Sequence, residues 1–238
     1  LYNDEVTAEV AALAVQGPTS CSVLRSMGLE GIHNLKPFGL TDYPFGSGQL
    51  MVSRTGFTGD LGYELWVGPQ NAEVLWDKLF RAGENLGIRP IGGAALEMAR
   101  IEAGFLQAGV DFVPSEEAVR PGRSRSPFEL GLDWLVSFDK PIFTGRKALR
   151  KEKELGSRYK FVYLDVEGNK PAEHSFILKG GKEIGTVTSA AWCPTAKSNI
   201  AVAQVESKYG KIGELLIAEI YYQRELQWTR VLANCRVI

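Results

Sequence analysis

The chain has 238 residues, 45% of them hydrophobic and 23% charged, and its 27 basic against 28 acidic residues leave a net charge of −1. A disordered chain, which needs few apolar residues and a large net charge, is excluded. So is a protein whose main partner is nucleic acid, because phosphate binding calls for a basic excess or a basic stripe.

The first element is an apolar strand, Ala11 to Val15, ended by Gln16-Gly17-Pro18. Pro18, Thr19 and Ser20 suit the start of a helix that runs to about Met27 and stops at Gly28. A loop is expected next, then strands over Gln49 to Arg54 and Leu61 to Val67. In the second of these, Tyr63, Leu65 and Val67 alternate with Glu64 and Trp66. A glycine-punctuated turn, Thr55 to Asp60, lies between them. Helical periodicity marks Asn71 to Leu86 and Gly92 to Ala103. This order of strands and helices suggests an α+β sandwich.

Residues 114–127, rich in Pro, Gly, Ser and Arg, read as an exposed loop. A strand is expected over about Leu130 to Phe138, and a short basic helix over Gly145 to Leu155. Beyond Gly156 the chain becomes a series of short strands. They are Tyr159 to Val166, Ser175 to Leu178, Glu183 to Ala190, Ile200 to Val205, Glu214 to Tyr221 and Trp228 to Val237. Regular short strands between turn signals indicate an antiparallel sandwich or barrel. Two domains are therefore expected, residues 1–156 and 157–238.

Cys21, Cys193 and Cys235 are far apart, odd in number and form no CxxC pair. That pattern fits a reducing cytosol, so a cytoplasmic protein is expected. Together with only His33 and His174, these cysteines do not make a clustered zinc set, and no metal is expected. No apolar run reaches about 18 residues, so no membrane span is expected. The chain opens at Leu1 with no signal-peptide pattern and reads as a fragment of a longer protein. Scans for a phosphate loop, HExxH and GxSxG find nothing.

One constellation carries chemistry. Arg54-Thr55-Gly56-Phe57-Thr58-Gly59-Asp60-Leu61-Gly62-Tyr63-Glu64 resembles the RTGYTGExGxE signature of the glycine-cleavage T-protein family of folate-dependent enzymes. Leu13 to Pro18 is similar to the family's LAVQGP. Met98 to Gly104 resembles LRLEAG, and Gly109-Val110-Asp111 resembles GxD. Gly131 to Trp134 and Phe143 to Leu149 resemble GLxW and FxGRxAL. Gly185 to Ser189 and Pro194 to Ala201 resemble GxVTSG…SPxxxxxIA. Each match is weak alone. Eight in order over nearly the whole chain are specific.

The resemblance implies an α+β fold: part of the family's catalytic α+β region followed by an antiparallel β-barrel C-terminal domain. It also implies tetrahydrofolate as cofactor. The family's first third, which carries the aspartate given the key catalytic role, has no match here, so no catalytic residue is assigned. By resemblance Glu64 accepts the adjacent N–H donors of the pterin's aminopyrimidine edge, for which a carboxylate is suited. Read from the residues alone, Glu64 is first an outward side chain on a half-buried strand, and the folate role comes from the resemblance. Phe57 stands where the family often has tyrosine. An aromatic there can pack on the ring but offers no hydroxyl. Asp60 stands where glutamate is usual, with a shorter reach. Arg100 is implied near the folate site, against a plainer reading as the partner of Glu97 or Glu102 or as a cap near the helix end. Trp134 is implied against the aminobenzoyl part, against a plainer reading as a core residue. Tyr221, Tyr222 and Arg224 are candidates for the folate tail, while Trp192 and Trp228 read as packing residues.

The implied activity is a tetrahydrofolate-dependent one-carbon transferase, aminomethyltransferase-like or a demethylase of a small methylated compound. The partners are then folate and either a small one-carbon donor or a lipoyl carrier protein. Two alternatives stay open. One is a non-catalytic folate-binding protein. The other is the C-terminal folate module of a dimethylglycine or sarcosine dehydrogenase.

Overall fold

A computed structural model describes residues 7–120 and 122–238. The chain divides into two compact units, the first ending at Ala99 and the second running from Arg100 to Ile238.

The first unit is a four-stranded antiparallel sheet with two helices. Its strands are β1 (Ala11–Gln16), β2 (Leu40–Phe45), β3 (Gly48–Ser53) and β4 (Gly62–Val67), in the order β1-β4-β3-β2. The alternation read from β4 holds: Tyr63, Leu65 and Val67 are buried while Glu64 and Trp66 are only half-buried. The buried face meets α1 (Ser20–Ser26) and α2 (Ala72–Gly83) through Val23, Leu24, Leu75 and Leu79. Gly28, at φ +94°, follows the end of α1 in a conformation other residues rarely adopt. The helix expected to reach Leu86 is α-helical only to Gly83 and then tightens into a 3₁₀ turn, Glu84–Leu86. Ile88 folds back on Gly83, where a Cβ would come within 2.6 Å of it.

Strand β2 lies where a loop was expected. It contains Pro44, which cannot donate to a ladder. The strand survives because β2 is an edge, paired among the described residues only with β3. Helix α3 (Gly93–Glu102) runs across the division between the units.

The second unit contains a closed antiparallel barrel in the order β10-β5-β8-β7-β6-β9. Its strands are β5 (Tyr159–Val166), β6 (Phe176–Lys179), β7 (Lys182–Cys193), β8 (Ser198–Glu206), β9 (Leu215–Arg224) and β10 (Gln227–Val237). All six were expected, β5 with the same limits and the others with ends differing by up to three residues. Along β5, Val162, Leu164 and Val166 join the barrel core. Phe161 and Tyr163 instead join a second cluster with Ile101, Phe112, Leu130, Cys193 and Val202. This is the period of two expected of a barrel wall covered on its outside. The cluster also explains why the compact division comes well before residue 156: the segment after Arg100 packs on the barrel's outer surface.

The strand expected over Leu130 to Phe138 is absent. The segment turns instead, through bonds such as Leu132 N to Pro127 O and Val136 N to Asp133 O, with a 3₁₀ turn at Asp133–Leu135. Gly131 at φ +71° breaks the extended path. The basic helix α4 (Arg146–Leu155) forms as expected and has no fully buried residue. No helix among the described residues is long and apolar enough to cross a membrane.

Candidate functional site

The loop joining β3 to β4 is built around a side chain from a third strand. Gln16 ends β1 directly across from Gly62 of β4. Its Nε2 donates to the carbonyls of Tyr63 (3.3 Å) and Thr55 (3.5 Å), and its Oε1 accepts from Thr58 Oγ1 (3.3 Å). A Cβ on either Gly56 or Gly62 would come within 2.0 Å of Gln16 Oε1. Those two glycines therefore provide the room that the amide occupies. The far end of the loop is tied to the start of α1, where Gly17 N (2.8 Å) and Ser20 Oγ (3.2 Å) both donate to Leu61 O. The near end is held by Arg54, whose Nη1 donates to Leu35 O at 2.7 Å.

Glu64 faces Ser53 across the β3–β4 pair. Its Oε2 accepts from Ser53 Oγ at 3.4 Å and from Thr55 Oγ1, and the two hydroxyls lie 2.7 Å apart. Phe57 sits half-buried in the same loop. On the opposite face of β4, burial and a bond with Cys21 push the Tyr63 phenol up to about 12. The unit also holds a largely apolar cavity of about 480 Å³, lined by residues including Leu13, Gln16, Val23, Trp76 and Ile91. Glu64 and Phe57 do not line it.

Arg100 and Trp134 belong to the second unit. Arg100 is wholly buried and paired with an equally buried Asp111 at 2.6 Å. Its guanidinium also donates to Phe105 O (2.9 Å) and Ser189 Oγ (2.7 Å). Asp111 accepts in addition from Gln107 N (2.7 Å), Thr188 Oγ1 (2.6 Å) and Ser189 Oγ (2.7 Å). Asp111 is thus a carboxylate partner of Arg100, and a ligand would have to displace these groups to reach it. Glu102, from the same helix end, accepts from the backbone N–H of Thr195 (3.0 Å) and Ala196 (3.2 Å) in the β7–β8 turn. Tyr163 donates to Gly104 O at 2.5 Å. Burial and the charge of Asp111 raise its phenol above the usual range, with Arg100 acting in the opposite sense.

Trp134 lies on the 3₁₀ turn and is 74% exposed, so it is not a core residue. Trp192 and Trp228, expected to be packing residues, are 49% and 72% exposed. Tyr221, Tyr222 and Arg224 lie near the end of the β9–β10 hairpin. There Lys170 Nζ sits 4.6 Å above the Tyr222 ring and Tyr221 Oη donates to Glu219 at 3.1 Å. In the arginine-bearing loop, Arg125 donates to the carbonyls of Gly122 and Ser124 and lies over the Tyr159 ring at 5.3 Å. Among the described residues, no group of three or more His, Cys, Asp or Glu side chains is placed to hold a metal.

Sequence reasoning singled out Glu64 and Arg100 but not the groups that hold them: Gln16, Ser53, Thr55, Asp111, Thr188 and Ser189. A signal existed for Asp111, because an arginine among apolar helix positions requires a carboxylate. The hydroxyls gave none, since Ser and Thr are common in both strands and loops.

The chain matches two family models. The first is described as the GCVT N-terminal domain, over residues 2–140, and the second as the glycine cleavage T-protein C-terminal barrel domain, over residues 160–233. It is 35% identical over 212 residues to an aminomethyltransferase of Caldanaerobacter subterraneus, covering 88% of this chain and 54% of that protein. It is 35% identical over 205 residues to an aminomethyltransferase of Halothermothrix orenii, covering 86% and 55%. The crystal structure of the glycine cleavage system aminomethyltransferase T from Bartonella henselae superposes with a TM-score of 0.79 at 25% identity, covering 96% of this chain and 58% of that one. The chain therefore spans a little over half the length of these relatives.

Proposed function

Because the chain belongs to the glycine cleavage T-protein family, we propose that it serves tetrahydrofolate-dependent one-carbon transfer, with an aminomethyl group as the unit transferred. The observation that carries this reading is the signature loop, which holds one carboxylate, Glu64, against two hydroxyls and also carries the half-buried Phe57. The relatives are named aminomethyltransferase, which favours an aminomethyl donor over a small methylated compound; the carrier of that group proposed here is a lipoyl carrier protein.

The residues present fit a reduced pterin. Glu64 supplies an acceptor for an N–H edge, and Phe57 supplies an apolar face without a competing hydroxyl. Bound tetrahydrofolate supplies the nucleophilic nitrogen that takes up the one-carbon unit. This chain's part is to bind and orient. Gln16 fixes the loop, and Glu64 holds the ring edge. Arg100 acts through position, fastening the end of α3 to β7. Rate enhancement from such a site comes from placing reactants in attack geometry.

The test is calorimetric titration of 5-formyltetrahydrofolate into the chain and into Glu64→Ala. Loss of a hydrogen bond to a charged group, about 1.5–3 kcal/mol, predicts at least tenfold weaker binding by the variant. Equal affinities remove Glu64 from the site. Failure of the unaltered chain to bind any folate overturns the folate reading for it. Incubation with tetrahydrofolate and either an aminomethyl-loaded lipoyl carrier or methylated small molecules distinguishes the donors by the folate product formed.

A further inference from the structure

The arrangement around Glu64 goes further than its identity as an acceptor. We propose that Ser53 and Thr55 are positioning residues that hold the Glu64 carboxylate by Oε2 and thereby present Oε1 to a ligand edge with adjacent N–H donors. This rests on the folate reading above and deepens it.

Four observations carry the inference. Ser53 lies directly across from Glu64 in the β3–β4 ladder, so the two side chains share a face of the sheet. It is only 5% exposed, so its hydroxyl must find a partner inside the protein. The two hydroxyls are 2.7 Å apart, and both reach the same carboxylate oxygen, Oε2. Oε1 has no partner among the described residues.

Each hydroxyl has one proton to give. The Thr55 proton goes to Oε2, and the Ser53 proton goes either to Thr55 Oγ1 or to Oε2 directly. In both cases the chain of donors ends on the carboxylate, and each bond polarises the next. Thr55 is itself held, through its carbonyl, by Gln16 Nε2 at 3.5 Å. An unheld glutamate rotates about three bonds, and a ligand must freeze that freedom on binding. Here the protein has frozen it already, which raises affinity without adding a contact to the ligand. The held carboxylate selects an edge of paired N–H donors, as in an aminopyrimidine. It rejects an edge that presents acceptors, because Oε1 then meets a lone pair.

The test uses Thr55→Val, which keeps the shape and removes the hydroxyl, with Thr55→Ser as the conservative rescue and Ser53→Ala as a second probe. Two quantities are measured on each. One is affinity for 5-formyltetrahydrofolate by calorimetry. The other is the set of Glu64 Hβ–Hγ couplings in glutamate-labelled protein without ligand, which report whether one side-chain rotamer dominates. Thr55→Val is expected to bind about tenfold more weakly and to show averaged couplings, with Thr55→Ser restoring both. If Thr55→Val does not fold, Ser53→Ala is expected to show the same pair of changes to a smaller degree. Couplings that still report one rotamer in the folded variants overturn the proposal, as does mobile Glu64 with unchanged affinity. If the unaltered chain binds no folate, the functional reading fails by itself, and the couplings still decide whether the hydroxyls hold Glu64.

Discussion

Replacing Asp111 by alanine removes the partner of the most deeply buried charge described in the protein. Four contacts vanish together: those from Arg100 Nη1 (2.6 Å), Gln107 N (2.7 Å), Thr188 Oγ1 (2.6 Å) and Ser189 Oγ (2.7 Å). The guanidinium keeps the Phe105 carbonyl and the Ser189 hydroxyl but loses the Asp111 carboxylate, with no solvent to replace it. Breaking one side of a fully buried pair costs about 3–5 kcal/mol, most of it the price of the stranded ion. Replacing both partners with apolar residues, Arg100→Met with Asp111→Leu, strands no ion. The double variant is therefore expected to be more stable than Asp111→Ala despite carrying one more substitution. Because the chain has two compact units, a single global transition is not assumed. The suitable assay is native-state hydrogen exchange of the β7 and β8 amides, which reports the second unit alone. A loss below about 1 kcal/mol in Asp111→Ala, or a double variant less stable than the single, would refute the reasoning that desolvated charge governs this site.

Two other outcomes follow from the barrel and from the buried acids. A Cβ at Gly185 would lie 2.0 Å from the Gln204 carbonyl oxygen and 2.8 Å from Val205 Cα, both backbone atoms. Gly185→Ala must force β7 and β8 apart and should cost more than the roughly 1–3 kcal/mol of ordinary overpacking; a melting temperature within a degree of the unaltered chain would contradict the close approach. Burial lifts the Cys235 thiol from 9.0 to about 12 and the Tyr63 phenol from 10.0 to about 12. Above those ordinary values the unfolded chain releases the protons first and binds fewer, so stability falls as pH rises, from about pH 9 for Cys235 and pH 10 for Tyr63, until about pH 12. Cys235→Ala should flatten the first part of that decline in urea titrations at stepped pH, and an unchanged slope would count against it.

Much of the architecture was legible because period and punctuation agreed. The six barrel strands carry alternation between turn residues, and β4 shows its buried and outward residues in the sequence itself. Two elements were not legible, for opposite reasons. Strand β2 was hidden by Pro44, whose missing N–H matters only if the strand is central, and edge position is a property of the sheet. The apolar stretch from Leu130 to Phe138 looked extended but lacks alternation, and its turns are set by bonds to Ser126, Pro127 and Phe128 and by the backbone at Gly131. At the candidate site, the glycine pattern of residues 54–64 was visible, but not the reason for it. Gly56 and Gly62 are small because Gln16, at least forty residues earlier, needs their space. The burial of Arg100 was likewise set by residues such as Ser189, far along the chain. Local patterns show which residues are unusual, and long-range partners decide what each of them does.

The closure of the barrel has a kinetic consequence. Strands β7 and β8, like β9 and β10, are joined by short turns and can pair as soon as their own residues meet. The seam between β5 and β10 joins residues roughly seventy positions apart, such as Val166 and Cys235. The entropy of closing so long a loop is lost before any seam contact compensates for it. The hairpins therefore form early and the seam last, over milliseconds to seconds and not microseconds. Substitutions along the seam should then accelerate unfolding while leaving the refolding rate nearly unchanged, as expected of contacts made after the transition state. A barrel with no free edge once folded thus passes through a stage in which β5 and β10 each still expose one, and that interval is when association with other chains competes with folding.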